Sequence, residues 1–299
     1  MKTSLLLFGS NGMLGKEFFE AYKKDFEIIP VSLDDLDLRE TEKILPKILK
    51  ISPNAILNSA AWTDVEKAEN PEVREDVFRL NRDAPREMAK ACGKLNIPFF
   101  HVSTDFVFAG GKEITNYKLR ITNFSENSEK NPLNIYGQSK SEGENAAMRE
   151  WEKTYIVRTA WLYGKFGRNF VEKIIQRSGQ QSAVSSQIPV VNDQFGNPTW
   201  TKYVAKTLEM LIRDNGEKYT PGIYHAVSEV GETPPSWYDF AVKIFEYSNM
   251  DVHVKAISSA EFPSKVKRPV SSVLKNTKLS KLPTWEEMIS EYLSQKKNS

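Results

Sequence analysis

The chain has 299 residues, 40% apolar and 27% charged, enough for one large domain or two modest ones around an ample core. Its 41 Lys and Arg nearly balance 39 Asp and Glu, and a net charge of +2 gives no reason to expect nucleic acid as a partner. The apolar run LLLF (5–8) is far too short to span a bilayer, glycines behind Phe8 break any signal-peptide core, and the lone Cys92 cannot close an internal disulfide. A cytoplasmic protein is therefore expected, acting on no membrane and, with three histidines and none near Cys92 in sequence, holding no metal.

In chain order the expected strands are SLLLF (4–8), FEIIPV (26–31), NAILNS (54–59), PFFHVS (98–103) and TYIVRTAW (154–161). All are apolar on both faces, as strands covered by helices on each side should be. Helical patterns lie between them at 12–23, 40–50, 71–95 and 135–151, the third opened by Asn70-Pro71. This alternation predicts an α/β fold with a Rossmann-like, doubly wound parallel sheet. Past residue 165 the rhythm loosens. Helices near 167–178, 199–213, 236–247 and 284–295 are separated by turn-rich pieces such as NDQFGNPTW and GETPPSW. We expect a dinucleotide-binding domain over 1–165, rejoined by the segment near 195–227, and a smaller mixed α/β substrate domain over most of 166–299. The polar stretch at 112–130 is long for a connection, and its place ahead of Tyr136 suggests a flap over the site.

Gly9, Gly12 and Gly15 follow the first strand and open the first helix. Glycines there permit a sharp turn and let a pyrophosphate approach the backbone, while the helix start offers free N–H groups and a positive dipole end. The spacing is G-x-x-G-x-x-G, and its place between strand and helix carries the signal. The second strand should end on the residue that reads the adenosine ribose, acidic for NAD or with a nearby Arg for NADP. It ends on Ser32 and Leu33, with no Arg or Lys before Arg39. The cofactor is thus NADPH or NADH, with a tilt towards NADH or dual use.

NPLNIYGQSK (131–140) sets Tyr136 and Lys140 four residues apart, on one face of an expected helix. Spacing alone does not decide their role, since Tyr292 and Lys296 repeat it in the polar C-terminal segment, where a surface position is expected. A tyrosine is protonated at pH 7 and can donate, but its anion needs support. A lysine ammonium at ~4 Å, with an effective dielectric of ~20, favours that anion by up to about 4 kcal/mol, roughly three pKa units. That is the scale a general acid near neutrality requires. Thr104 follows the strand PFFHVS, where ligands bind in such sheets, and its hydroxyl is suited either to a substrate carbonyl or to a helix cap.

Together these segments resemble the extended short-chain dehydrogenase/reductases, and within them the dTDP-4-dehydrorhamnose reductases. The resemblance runs through GSNGMLG, NSAAWTDVEKAE (58–69), STDFVF (103–108), NPLNIYGQSKSEGE (131–144), RTAWLYG (158–164), NDQFGNPT (192–199), GIYHAV (222–227), SWYDFA (236–241) and RPVSSVL (268–274). It implies hydride transfer from NADPH or NADH to the C4 ketone of a dTDP-linked 4-keto-6-deoxy sugar, in nucleotide-sugar and cell-surface polysaccharide biosynthesis, by a monomer or homodimer. Tyr136 would protonate the ketone, Lys140 would bind the nicotinamide ribose, and Thr104 would orient the carbonyl. Gly9, Ser10, Asn11, Gly12, Met13, Leu14 and Gly15 would hold the pyrophosphate, Asp37 and Leu38 the adenine. Ala60, Ala61, Trp62 and Val102 would line the cofactor, while Thr63, Val65, Asp105, Phe106 and Trp161 would face the sugar nucleotide. Phe106 stands where many relatives have tyrosine, which removes one hydroxyl near the sugar. Trp62 and Trp200 are open between site and packing roles. Another nucleotide-linked keto sugar, or a non-catalytic regulatory role on the same fold, are the alternatives.

Overall fold

The segments SLLLF, AILN, FFHVST and TYIVRT bury nearly every side chain, which requires helices on both faces of the sheet they build. The computed structural model describes residues 2–110, 112–115, 118–121, 123–179, 187–264 and 266–297. Its first part contains β1 (Ser4–Phe8), α1 (Met13–Tyr22), β2 (Glu27–Val31), α2 (Ile44–Ile51), β3 (Ala55–Asn58), α3 (Val65–Ala68), α4 (Arg74–Phe78), α5 (Ala84–Leu95), β4 (Phe99–Thr104), β5 (Lys112–Thr115), β6 (Lys118–Ile121), α6 (Ile135–Glu150) and β7 (Thr154–Thr159). There follow β8 (Leu162–Tyr163), α7 (Phe170–Gly179), β9 (Ile188–Val191), β10 (Thr199–Trp200), α8 (Thr201–Asp214), β11 (Gly222–His225), α9 (Trp237–Ser248), β12 (Val254–Ile257) and α10 (Trp285–Lys297).

Six strands form one parallel sheet in the order β11-β7-β4-β3-β1-β2, the Rossmann-like arrangement expected. Pro30, which has no N–H for a ladder, sits on the edge strand β2. From β1 the chain first adds β2 on one side and then crosses to add β3 on the other. The crevice at the carboxyl ends of β1 and β3 is therefore the place for a ligand. Leu5, Leu7 and Phe18 pack with Leu208 and Leu211 on one face, where α8 lies on α1. Leu6, Phe8, Ile44, Ile48, Met88 and Phe99 form the core on the other. Among the described residues no helix is long and apolar enough to cross a membrane.

A separate core gathers α7, α9 and α10 around Tyr163, Phe240 and Ile289, with the short parallel pairs β9–β12 and β8–β10 beside it. Trp200 is buried there, so its role is packing. The surface position expected for Tyr292 is corrected: it faces inward from α10, 5% exposed, with its hydroxyl 2.8 Å from Glu172 Oε1 and 3.1 Å from the Gly164 carbonyl. Helical periodicity turns Tyr292 into the core even in a charged segment, while Lys296 one turn later pairs with Glu172 outside. Within the 112–130 stretch β5 and β6 pair antiparallel, and Phe124 is tied to Val273 and Lys275 by backbone hydrogen bonds. The flap expected there rests on residues 111, 116, 117 and 122 and on the side chains of 112–121, all outside what is described.

The turn after β1 is tight. A Cβ on Gly15 would lie 2.2 Å from the carbonyl oxygen of Gly9, a backbone atom that cannot swing away. Gly15→Ala is expected to cost about 1–3 kcal/mol of stability through overpacking. Urea unfolding measures this, and an unchanged midpoint would show that the turn yields.

Candidate active site

The cofactor end is built by that turn. Gly12 is the N-cap of α1 and has no side chain to cap the first N–H groups, and the first turn, MLGK, carries no acid. Gly12 and Asn11 are exposed, Ser10 is buried, and Leu14 packs into the core beneath. Open N–H groups, a positive helix end and bare glycine surface fit a pyrophosphate. At the end of β2, Asp35 accepts from the Ser32 N–H and hydroxyl, both at 2.8 Å. Asp37 is engaged by Arg39, whose Nη2 lies 2.6 Å away and whose Nη1 reaches Asp76 at 3.1 Å. Leu38 packs in the core with Leu36, two residues before it, while Leu33 is exposed.

Behind β3, the loop of Ala60, Ala61 and Trp62 is pinned by Asn81, which accepts the Trp62 N–H at 2.8 Å and donates to its carbonyl at 3.1 Å and to Ser139 Oγ at 2.9 Å. Asn81 lies in a π-helical turn, Arg79–Asp83, that joins α4 to α5. Pro85 has no N–H to give the Asn81 carbonyl, so the helix loosens here, the usual consequence of an internal proline. The Trp62 indole turns to the Asp64 carbonyl at 3.0 Å, beneath Lys67.

Helix α6 brings the catalytic candidates to the sheet. Asn134 caps it, accepting from Gly137 N at 2.8 Å, and Glu69 accepts from Ile135 N at 2.8 Å. Its approach is close: a Cβ on Gly143 would fall 2.0 Å from the Asn81 carbonyl oxygen. One turn beyond Lys140, Glu144 receives Arg158 of β7 in a bidentate pair, at 2.8 Å and 2.7 Å, with both side chains at most 1% exposed. Lys130 joins at 3.1 Å. Burial pushes the Glu144 carboxyl up, but the Arg158 hydrogen bonds and charge, with Lys130, override it and hold the pKa at about 2.

Thr104, Tyr136 and Lys140 meet at the end of β4. The Thr104 hydroxyl lies near enough to the Tyr136 phenol to lower its pKa. It also caps the short turn Asp105–Val107, accepting the Phe106 N–H at 3.2 Å and donating to Asp105 at 3.0 Å, so cap and site residue are one. Burial raises Tyr136 to about 12, opposed by the Thr104 hydroxyl and reinforced by Asp105. Lys140 is 2% exposed, and burial pulls it down to about 8 against the Glu144 charge. Its Nζ donates to the Val102 carbonyl at 2.7 Å, turned towards β4. The support for the Tyr136 anion expected from this ammonium is therefore not what dominates here; burial is.

On the substrate side, Phe106 meets the Tyr136 ring edge-on at 5.6 Å, and Asp105 is buried, which raises it to about 6 against hydrogen bonds from Ser272 and Thr104. Thr63 is exposed in the loop after β3, and Val65 opens α3 half-buried. Trp161, two residues past β7, holds φ at 45°, a strained backbone for so large a side chain, and stacks on Trp237 at 3.5 Å. Asn58, His101, Asn81, Glu144, Arg158 and Trp237 were not singled out from the sequence. Polar residues inside otherwise apolar strands or helix faces were the available signal for the first five. Among the described residues no group of three His, Cys, Asp or Glu is placed to hold a metal.

A doubly wound sheet with a glycine turn after β1 and a Tyr-x-x-x-Lys pair docked beside β4 defines an extended short-chain dehydrogenase/reductase. More narrowly, the chain belongs to the RmlD substrate binding domain family, whose model matches residues 1–298. It is 33% identical over 288 residues to a dTDP-4-dehydrorhamnose reductase of Aggregatibacter actinomycetemcomitans, covering 92% of this chain and 91% of that one. The structure of a dTDP-4-dehydrorhamnose reductase from Bacillus anthracis in complex with NADP matches with a TM-score of 0.88 at 31% identity, covering 99% of this chain and 100% of the other. A counterpart from Clostridium acetobutylicum gives 0.87 at 34% identity, covering 98% and 99%.

Glu144→Gln leaves Arg158 buried without its counter-charge and is expected to destabilise the fold by about 3–5 kcal/mol near neutrality. The wild-type carboxylate has a depressed folded pKa, so its stabilisation is full above about 4.5 and is lost as pH falls towards about 2. Denaturant unfolding across that range should show the loss in wild type and a flatter profile in the variant.

Proposed function

We propose that this protein is an NAD(P)H-dependent ketoreductase that converts the C4 ketone of dTDP-4-dehydro-6-deoxy-L-mannose to the hydroxyl of dTDP-L-rhamnose. The observation that carries the reading is the Tyr136–Lys140 pair on α6, with Lys140 buried and docked on β4 just before Thr104, in a chain of the RmlD family. Residues 1–165, with the segment near 195–227, hold the dinucleotide; most of the remainder of 166–299 holds the sugar nucleotide.

The residues Gly9–Gly15 take the pyrophosphate at the open start of α1, and Ala60–Trp62 with Val102 line the rest of the crevice. When bound, the reduced nicotinamide supplies the hydride. Tyr136 keeps its proton because its phenol is raised to about 12, and it gives that proton to the ketone oxygen as negative charge develops there. Thr104, placed by the Phe106 N–H, would orient the same oxygen by turning its hydroxyl hydrogen from Asp105 to the ketone. Lys140 holds the nicotinamide ribose. Trp161 and Trp237 wall the sugar side.

With purified protein, the dTDP sugar and NADH or NADPH in turn, loss of nicotinamide absorbance is the direct test. Tyr136→Phe should lower kcat about a hundred- to ten-thousand-fold with cofactor affinity nearly unchanged, and Lys140→Ala should harm both. Near-full activity in Tyr136→Phe would remove the proton-donor assignment. Cofactor binding without oxidation by wild type would point instead to another keto sugar or to a regulatory role.

A further inference from the structure

The partners of Lys140 are unusual for an ammonium. Besides the Val102 carbonyl, its Nζ lies 3.2 Å from Nε2 of His101, which is fully buried on β4. The other ring nitrogen, Nδ1, lies 3.1 Å from Nδ2 of Asn58, the last residue of β3 and equally buried. Asn58 Oδ1 accepts the backbone N–H of Ala60 at 3.0 Å.

The polarity of this chain follows from its backbone end. A peptide N–H only donates, so the Asn58 atom facing Ala60 is the oxygen and the atom facing His101 is the NH2. An amide NH2 also only donates, so His101 Nδ1 must carry a lone pair. Burial pushes the His101 pKa well below its ordinary value, and the Lys140 charge, when present, acts the same way, so the ring is neutral. The ring proton is then on Nε2, aimed at Lys140. An ammonium there would set N–H against N–H.

We propose that Ala60, Asn58 and His101 form a positioning relay that presents an N–H to Lys140 and so stabilises its neutral amine over its ammonium. The amine lone pair accepts from His101 Nε2, and one of its own hydrogens goes to the Val102 carbonyl oxygen. The other titratable groups near Lys140 are Tyr136 and Glu144 on its own helix, the latter already paired with Arg158 of β7 and with Lys130. Asn58 and His101 touch Lys140 and the loop behind it, not the reacting atoms. This charge assignment stands on geometry; its use, a cofactor-site lysine that exchanges its proton near neutral pH, rests on the ketoreductase reading.

The test is made on the full chain without cofactor or sugar, so its failure is separate from that of the reaction. Nitrogen-15 NMR of labelled histidine should show His101 with Nε2 protonated and Nδ1 bare. A carbon-13 titration of the lysine side chains, with Lys140 identified by its loss in Lys140→Arg, should place its midpoint at or below about 8. His101→Phe removes the donated N–H and should raise that midpoint by about one pH unit, the worth of one hydrogen bond. His101→Gln, whose amide offers an acceptor to Asn58 and a donor to Lys140, should restore the wild-type midpoint. A Nδ1-protonated ring, or an equal midpoint in wild type and His101→Phe, overturns the proposal. The tautomer measurement needs only wild-type protein, so it decides even where the Phe variant does not fold.

Discussion

The buried Arg158–Glu144 pair governs how α6 sits on the sheet, and everything at the catalytic end follows from that seat. Arg158 stands next to the end of β7, after the apolar run Tyr155–Val157, and Glu144 within α6, each with almost no access to water. Such a pair contributes little net stability compared with an apolar contact of the same shape, since two ions must be desolvated. What it does fix is rotation. Tyr136, Lys140 and Glu144 are spaced by four, so turning Glu144 onto Arg158 turns the other two towards β4. The small Gly143 beside it lets the helix come close enough for that turn to matter.

The sheet meets this helix with a polar rim. β3 runs Ala55, Ile56, Leu57 and then Asn58; β4 runs Phe99, Phe100 and then His101; β7 runs Tyr155, Ile156, Val157 and then Arg158. Each strand is apolar in its first half and polar where it approaches the crevice. Buried polar groups are tolerated only when partnered. Here the partners come from the helical side: Lys140 for His101 and Glu144 for Arg158, while Asn81 ties Ser139 of α6 to the loop behind β3. Fold and candidate site thus share contacts, because the helix that satisfies the strand ends is the one that carries Tyr136 and Lys140.

This explains what could be read in advance. Four of the five early strands were legible because burial on both faces leaves continuous apolar runs, whereas β2 is a half-exposed edge strand, not covered on both faces as expected; the glycine turn was legible because backbone contact leaves no other residue room. Thr104 and Tyr136 were legible as types at strand and helix ends. His101 was not, since a single histidine in an apolar strand has the look of a packed core residue until the facing lysine is known. Asn81 was hidden inside a helical pattern, with Pro85 the only hint that the helix departs from α geometry. Tyr292 was misjudged because local polarity around it says little about which way one side chain turns.

The difference at Tyr136 bears on the chemistry itself. An ammonium beside the phenol, acting at all times, would draw its pKa towards neutrality and leave a large share of the molecules ionised before any ketone arrives. A proton donor in that state is partly spent. Here burial holds the proton in place and Lys140 is turned to the Val102 carbonyl and His101, away from the phenol. In the proposed reaction the proton would leave only when a ketone oxygen gathering negative charge competes for it. On that proposal, a lysine held against β4 would separate the resting enzyme, which must keep its proton, from the transition state, which must lose it.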